Sequence, residues 1–307
     1  MTHFPTIKQL RYFVTLEQHG HFGKAAAACV VSQSAFSVAI RELETLLGTQ
    51  LVDRTNHRVT VTPIGRKVAI QARLCLQDLE QLVEMTSGER EPLSGSLTLG
   101  VIPTVAPFLL PNILPSVRQQ YPTLKLYIRE GKTNMLHGEL MEGKLDLILL
   151  ALPYELRQVT IMPLFRDSFF LAYREGTQLI DPDHFSINQV TAESMLLLED
   201  GHCLRDHALA ACKLRSQEIV NRFAASSLFT LLEMVDSDLG FTFVPEMAVG
   251  SSILRQTHLK LRPLDRNSYR QIGLAWRKAT ARSTEFRTLG ELMQKCWKGR
   301  MINGAAL

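Results

Sequence analysis

Apolar residues in the first sixty positions recur at helical spacing in three short runs. Residues 6–19, TIKQLRYFVTLEQH, bring Leu10, Phe13, Val14 and Leu16 to one face, and Gly20 stops the run. An alanine-rich helix follows from Phe22 to Cys29 and breaks at Val30-Val31. Ser32 stands as the N-cap of a third helix through Leu46, with Phe36, Ile40, Leu43 and Leu47 inward and Gly48 ending it. Over 49–62, TQLVDRTNHRVTVT, the period shortens to two around a turn at Asn56, which predicts a short hairpin. Three helices and a hairpin in so short a span predict a winged helix-turn-helix over 1–62.

Pro63 suits the first turn of a fourth helix, which runs to about Ser87. Val68, Ala72, Cys75, Leu79 and Leu82 alternate steps of four and three along it. That spacing is a heptad seam, the pattern of helices that pair between subunits; a helix packed on its own domain is the alternative. We divide the chain into this linker and dimerisation helix, 63–88, and a hinge, 89–95, within the Gly-, Pro- and charge-rich stretch GEREPLSG.

From Ser96 the texture changes. Apolar strands (97–102, 125–132, 145–152, 168–176, 195–201, 240–245 and 272–278) alternate with helices, the last being STEFRTLGELMQKCWK. The alternation predicts an α/β sensor domain over 96–307 with largely parallel strands. It divides into lobe I (about 96–166 and 271–307) and lobe II (about 167–270), with a ligand cleft between them. The fold class is therefore multidomain, α+β with α/β: winged helix-turn-helix, linker helix and a two-lobed, periplasmic-binding-protein-like sensor.

Composition narrows the function. The formal charge is +4 over 307 residues. Residues 1–67 hold eight Lys and Arg against four Asp and Glu, and the remainder balances, so the whole excess lies in the head. A basic head on a neutral body is the arrangement of a nucleic-acid reader with a separate sensor. No run reaches the ~18 apolar residues of a membrane helix. The N-terminus, MTHFPTIKQLRYF, lacks the pattern of a secretory signal, and five cysteines make an odd, sparse set, so a cytoplasmic protein with no membrane partner is expected. There is no C-x-x-C, H-E-x-x-H, P-loop or G-x-G-x-x-G, so neither a metal nor a cofactor is indicated.

The segment FGKAAAACVVSQSAFSVAIRELETLLGTQLVDRTNHRVTVTPIG (22–65) resembles the LysR-type transcriptional regulators. It carries their Ala-Ala, Ser-Gln, Ile-x-x-Leu-Glu, Leu-Gly and Thr-x-x-Gly elements, with Val52 where Phe is common and Ser34 where Pro is common. The resemblance spans the chain, including GKLDLILL in the sensor. It implies a DNA-binding regulator, not an enzyme, that assembles as a dimer of dimers, binds promoter DNA and contacts RNA polymerase. Ser32, Gln33, Ser34, Ser37 and Arg41 cluster along one face of the recognition helix. Gln pairs bidentately with adenine, Arg with guanine, and Ser hydroxyls suit phosphate. Arg54, Asn56, His57 and Arg58 at the hairpin tip suit a minor groove or the backbone.

A second stretch, LLLEDGHCLRDHALAAC (196–212), resembles the hydrogen-peroxide sensors of the OxyR branch of that family. The resemblance assigns Cys203 as the peroxide-reacting thiol and Cys212 as the resolving one, with Thr104, Thr133, His202 and Arg270 around the peroxide. It implies hydrogen peroxide as the signal, antioxidant genes as the output, and a thiol reductant such as glutaredoxin or thioredoxin. The chemistry is coherent. A thiolate is the nucleophile, so the Cys203 pKa is expected to fall below the free-thiol value of about 8.5. The first turn of a helix, capped by Asp200, with Arg205 and Arg270 near, would lower it. Nine residues of helix rise about 13.5 Å, whereas a disulfide needs Cα atoms within roughly 7 Å. If 203–212 is helical in the reduced protein, oxidation therefore requires that segment to unwind.

Cys29, Cys75 and Cys296 read as small buried hydrophobes, and His207 and His258 as surface residues. The rival readings are a LysR-type regulator binding a small metabolite between the lobes, a thiol peroxidase using Cys203, and an exported solute-binding protein. The basic head opposes the second reading, and the lack of a signal segment the third.

Overall fold

The computed structural model describes residues 3–55, 58–85, 93–186, 193–211, 220–255, 257–278 and 280–304. The chain forms two compact units, 1–90 and 91–307.

In the first unit α1 (Ile7–His19), α2 (Phe22–Ala28) and α3 (Gln33–Leu47) precede a hairpin of β1 (Val52–Thr55) and β2 (Arg58–Val61), and α4 (Pro63–Met85) follows. The boundaries have local causes. Thr6 caps α1 in a reciprocal pair with Gln9, and Gly20 ends it in the left-handed region at φ +59°. Ser32 accepts the Ala35 amide to start α3, and Gly48 ends it at φ +63°. Phe13, Leu16, Phe36, Ile40 and Leu43 are fully buried in one core, where Tyr12 stacks on Phe36 at 4.9 Å. Leu47, expected inward, is exposed, because it is the last residue of α3 and the chain turns away at Gly48.

The family-like residues of the head have structural work. Glu44 accepts the amides of Leu51 (2.9 Å) and Val52 (3.1 Å), tying α3 to β1. Thr62 donates to Leu51 O and accepts the Gly65 amide at 2.9 Å, opening α4. A Cβ on Gly65 would lie 2.2 Å from Leu51 O, so only glycine fits that crossing.

The second unit is built on a mixed sheet in the order β10-β6-β11-β5-β3-β4, with β9 also on β6. Its strands are β3 (Gly95–Val101), β4 (Leu124–Glu130), β5 (Leu147–Leu152), β6 (Val159–Arg174), β9 (Thr242–Pro245), β10 (Leu259–Pro263) and β11 (Tyr269–Arg277); β7 (Met195–Leu198) and β8 (Val220–Ala225) pair separately. The helices are α5 (Ala106–Gln120), α6 (Thr133–Met141), α7 (Cys203–Ala211), α8 (Leu228–Asp236) and α9 (Ser283–Gly304). The expectation of largely parallel strands is corrected: β3–β4, β3–β5 and β7–β8 are parallel, but β5–β11, β6–β11, β6–β9 and β6–β10 are antiparallel. The reason is topological: β6 and β11 carry the chain from one lobe to the other and back. β6 begins at Val159, nine residues ahead of the predicted 168–176. Its first half pairs β11, and from Phe169 it pairs β9 and β10. That handover joins the lobes. One continuous core, including Leu97, Leu149, Phe169, Phe243 and Trp276, fills the unit. No single described helix is long and apolar enough to cross a membrane.

Candidate functional site

In the head, Ser32, Gln33, Ser34 and Arg41 are exposed and Ser37 is half-exposed. Ser32 is committed to the helix cap and shares a 3.1 Å hydrogen bond with Ser34, while the longer Gln33 and Arg41 side chains are exposed on the same helix. Arg54 and Arg58 are placed on the facing strands of the wing. Asn56 and His57 lie outside the described residues. Sequence reasoning missed His21, whose Nδ1 accepts the Gly23 and Lys24 amides (3.0 and 3.3 Å) and so caps α2, fixing the first half of the motif.

On α4, the expected seam divides. Val68 packs against the core of the head and Ala72 is buried, whereas Cys75 and Leu79 are half-buried and Leu82 is 61% exposed. The helix uses one end of its apolar face on its own domain, and toward the other end Leu82 and Val83 are exposed among the described residues. Cys29, Cys75 and Cys296 are all half-buried rather than buried.

In the second unit, five residues from four distant segments meet. Thr104 lies between β3 and α5, Thr133 opens α6, His202 and Cys203 begin α7, and Arg270 is on β11; all are buried. Thr133 Oγ1 is 2.7 Å from Cys203 Sγ. Arg270 donates through Nη1 to Thr104 Oγ1 (2.8 Å), through Nη2 to Thr104 O (2.9 Å), and through Nε to Asp167 Oδ2 (2.9 Å). Asp167 Oδ1 accepts the Met247 amide at 3.0 Å. The carboxylate is wholly enclosed: burial pushes its pKa up, and the Arg270 charge and the Met247 amide resist. His202 Nε2 is buried with no hydrogen-bond partner among the described residues. Burial, and then the Lys132 charge, hold this imidazole below its ordinary pKa, which favours the neutral ring.

Gly201, at φ +87°, makes the turn that delivers His202 and Cys203. Lys132 reaches across to this turn: its Nζ donates to Asp200 O at 3.0 Å and stands 3.6 Å from Glu199. Sequence reading missed both Asp167 and Lys132. Asp167 sits 103 residues from Arg270, and nothing in its neighbourhood marks it.

The expectation of a depressed Cys203 pKa is corrected. Burial pushes the thiol up, outweighing the Thr133 hydrogen bond and the Arg270 charge that pull it down. Neither expected local helper is turned to the sulfur. Asp200 is exposed and paired at 3.0 Å with Arg205, whose Nη1 donates to Leu198 O. His207, expected at the surface, is buried; His258 is exposed and pairs with Asp236. Cys212 lies outside the described residues. Among the described residues no cluster of three potential metal ligands occurs.

A helix-turn-helix head and a separate two-lobed α/β unit with a polar site buried between its lobes define a DNA-binding regulator with its own sensor. Residues 7–66 match the family described as bacterial regulatory helix-turn-helix protein, lysR family, and residues 90–297 the LysR substrate binding domain. The chain belongs to the LysR family of transcription regulators. It is 37% identical over 296 residues to the HTH-type transcriptional regulator EstR of Acinetobacter baylyi, covering 96% of this chain and 98% of that one. It is equally 37% identical over 288 residues to the DNA-binding transcriptional dual regulator OxyR of Escherichia coli, covering 94% of each. Among solved structures it resembles a full-length cysteine-to-aspartate variant of Pseudomonas aeruginosa OxyR (TM-score 0.81, 32% identity, 96% of each chain). It also resembles a hydrogen-peroxide-bound cysteine mutant of Corynebacterium glutamicum OxyR (TM-score 0.66, 32% identity, 100% of this chain and 97% of that one).

Proposed function

We propose that this protein is a hydrogen-peroxide-responsive regulator whose switch is a Cys203–Cys212 disulfide. The observation that carries the reading is the buried thiol of Cys203, 2.7 Å from the Thr133 hydroxyl, within reach of the Arg270 charge and next to a His202 nitrogen with no hydrogen-bond partner among the described residues. Polar side chains thus gather at a sulfur in an otherwise apolar core, chemistry suited to a small polar oxidant. Relatives named OxyR and hydrogen peroxide-inducible genes activator support it.

The Cys203 thiolate attacks one peroxide oxygen. The O–O bond breaks, the departing hydroxide takes a proton to leave as water, and Cys203 becomes a sulfenic acid. Thr133 donates to the thiolate, and Thr104, His202 and Arg270 orient the oxygens and stabilise the charge on the departing one. The Cys212 thiolate then attacks the sulfenic sulfur, and the second hydroxide leaves as water. Cys203 and Ala211 are the ends of α7, about 12 Å apart along the axis. A disulfide needs Cα atoms within roughly 7 Å, well short of that rise. Bond formation therefore requires α7 to unwind, and the lobes repack.

On this reading residues 1–62 form the DNA-reading head, 63–88 the dimerisation helix carrying the seam, 89–95 the hinge and 96–307 the sensor. Gln33 and Arg41 read bases; Ser32, Ser34, Ser37, Arg54, Asn56, His57 and Arg58 grip the backbone or minor groove. A cytoplasmic dimer of dimers presents half-sites about one helical turn apart or multiples of it, and a change in head spacing alters contact with RNA polymerase. Glutaredoxin or thioredoxin resets the disulfide.

The test is peptide-mapped thiol counting of the full chain before and after near-stoichiometric peroxide, with Cys203→Ser and Cys212→Ser alongside. A rapid, dithiol-reversible 203–212 disulfide is expected. Free thiols at both positions would overturn the proposal in favour of a metabolite bound between the lobes.

A further inference from the structure

α7 touches the first lobe at a second point that the peroxide chemistry does not use. His207 lies one turn beyond Cys203, on the same helix face. It is 8% exposed. Its Nε2 is 3.0 Å from the carbonyl oxygen of Pro153, the residue that follows β5. Its Nδ1 is buried with no hydrogen-bond partner among the described residues. A ring nitrogen facing a carbonyl carries the proton, so Nε2 donates and Nδ1 is a bare lone pair shut away from water.

The charged and titratable groups around it do not favour a second proton. Arg270 on β11 opposes it. Asp206, its neighbour on α7, favours it but is itself exposed and screened. Cys203 shares the helix as a thiol, and Tyr154, next to Pro153, is a phenol pushed up by burial and then by Cys203 and Asp206. Burial is the dominant influence; it outweighs the Pro153 hydrogen bond, which favours the charged ring, and holds the His207 pKa below its ordinary value.

We propose that His207 is a proton-linked latch: as a neutral imidazole it fastens α7 to Pro153 in the reduced protein, and when disulfide formation unwinds α7 the freed ring takes up a proton. The proposal rests on the Cys203–Cys212 reading. Its redox balance is unchanged: two thiols and one hydrogen peroxide give one disulfide and two waters, and the imidazole proton comes from solvent.

The sign follows from the two states. Latched, His207 has its pKa held below the ordinary value of about 6.5, so it takes up a proton at lower pH than the freed ring does. Mild acid thus stabilises the oxidised form relative to the reduced one, and the bias disappears above that pH. Reduction places two protons on sulfur and, below about pH 6.5, releases one from the imidazole. Each net proton changes the equilibrium constant tenfold per pH unit, about 30 mV for a two-electron couple. The potential of wild type is expected to change by about 60 mV per pH unit in the neutral range and to bend toward about 30 mV per unit in mild acid.

The experiment is a redox titration of the full chain in dithiothreitol buffers from about pH 5 to about pH 8, with acid trapping and direct counting of the 203–212 disulfide. His207→Gln and His207→Asn keep an amide donor toward Pro153 and do not titrate. Both are expected to hold the steeper line throughout. His202→Gln in both backgrounds removes the share of the other buried imidazole. Coincident wild-type and His207→Gln lines would overturn the latch while leaving the disulfide switch standing. Absence of a countable 203–212 disulfide in wild type would overturn the switch itself, and the latch with it.

Discussion

The short contact between Thr133 Oγ1 and Cys203 Sγ, 2.7 Å in a buried site, should set the reactivity of the thiol. Replacing Thr133 with Val keeps the shape and removes the hydroxyl. A hydrogen bond to a charged group contributes about 1.5–3 kcal/mol. At about 1.4 kcal/mol per pKa unit, its loss moves the thiol up by about one to two units, beyond the rise burial already causes. The thiolate population at fixed pH then falls about tenfold to a hundredfold. The remaining thiolate is the stronger nucleophile, with a Brønsted coefficient of about 0.4–0.5 that restores about threefold to tenfold. The net expectation is peroxide oxidation of Cys203 slowed about threefold to tenfold near neutral pH, with the inflection of the rate–pH profile moved alkaline. The assay is stopped-flow or competition kinetics across pH, with the sulfenic acid trapped and mapped. Thr133→Ser retains the hydroxyl and should track wild type. An unchanged rate and an unmoved inflection in Thr133→Val would refute the assignment of Thr133 as the partner of the reacting thiolate.

Three further perturbations test other parts of the molecule. Asp167→Asn leaves Arg270 buried without its carboxylate; breaking a buried pair costs about 3–5 kcal/mol, so the chemical denaturation midpoint of the sensor unit should fall, and an unchanged midpoint would show the pair contributes nothing. Gly65→Ala drives a Cβ into Leu51 O and should destabilise the wing by about 1–3 kcal/mol, read as a lower melting temperature and weaker promoter binding. Gln33→Ala should cost about 1–3 kcal/mol at one base position and relax specificity there; a uniform loss across sequences in a binding-site selection would make Gln33 a phosphate contact instead.

The head was legible in the sequence almost residue by residue because its determinants are local. Ser32 and Gly48 bound a helix through bonds that span three to five residues. The sensor was legible in outline, since apolar runs mark buried strands wherever they pair, as at Leu147–Leu152. What failed was of one kind. β10 (Leu259–Pro263) is short and only half-buried, without a run to announce it, and β6 carries a second half-buried stretch before its apolar one. Leu47 has the right spacing and the wrong neighbours.

The candidate site divides along the same line. The sequence by itself determined that Cys203 opens a helix behind a Gly-His turn, and that Gln33 and Arg41 share the exposed side of a recognition helix, because spacing of a few residues decides such matters. Only the tertiary structure decided the electrostatics. Arg270 is held by Asp167 and Thr104 across separations of 103 and 166 residues. Lys132, 68 residues from Asp200 in sequence, braces the turn before the thiol together with the nearby Arg205. Burial turns the thiol pKa upward and encloses His207. Charge interactions and desolvation depend on distance and enclosure in three dimensions, quantities that no local pattern of residues encodes.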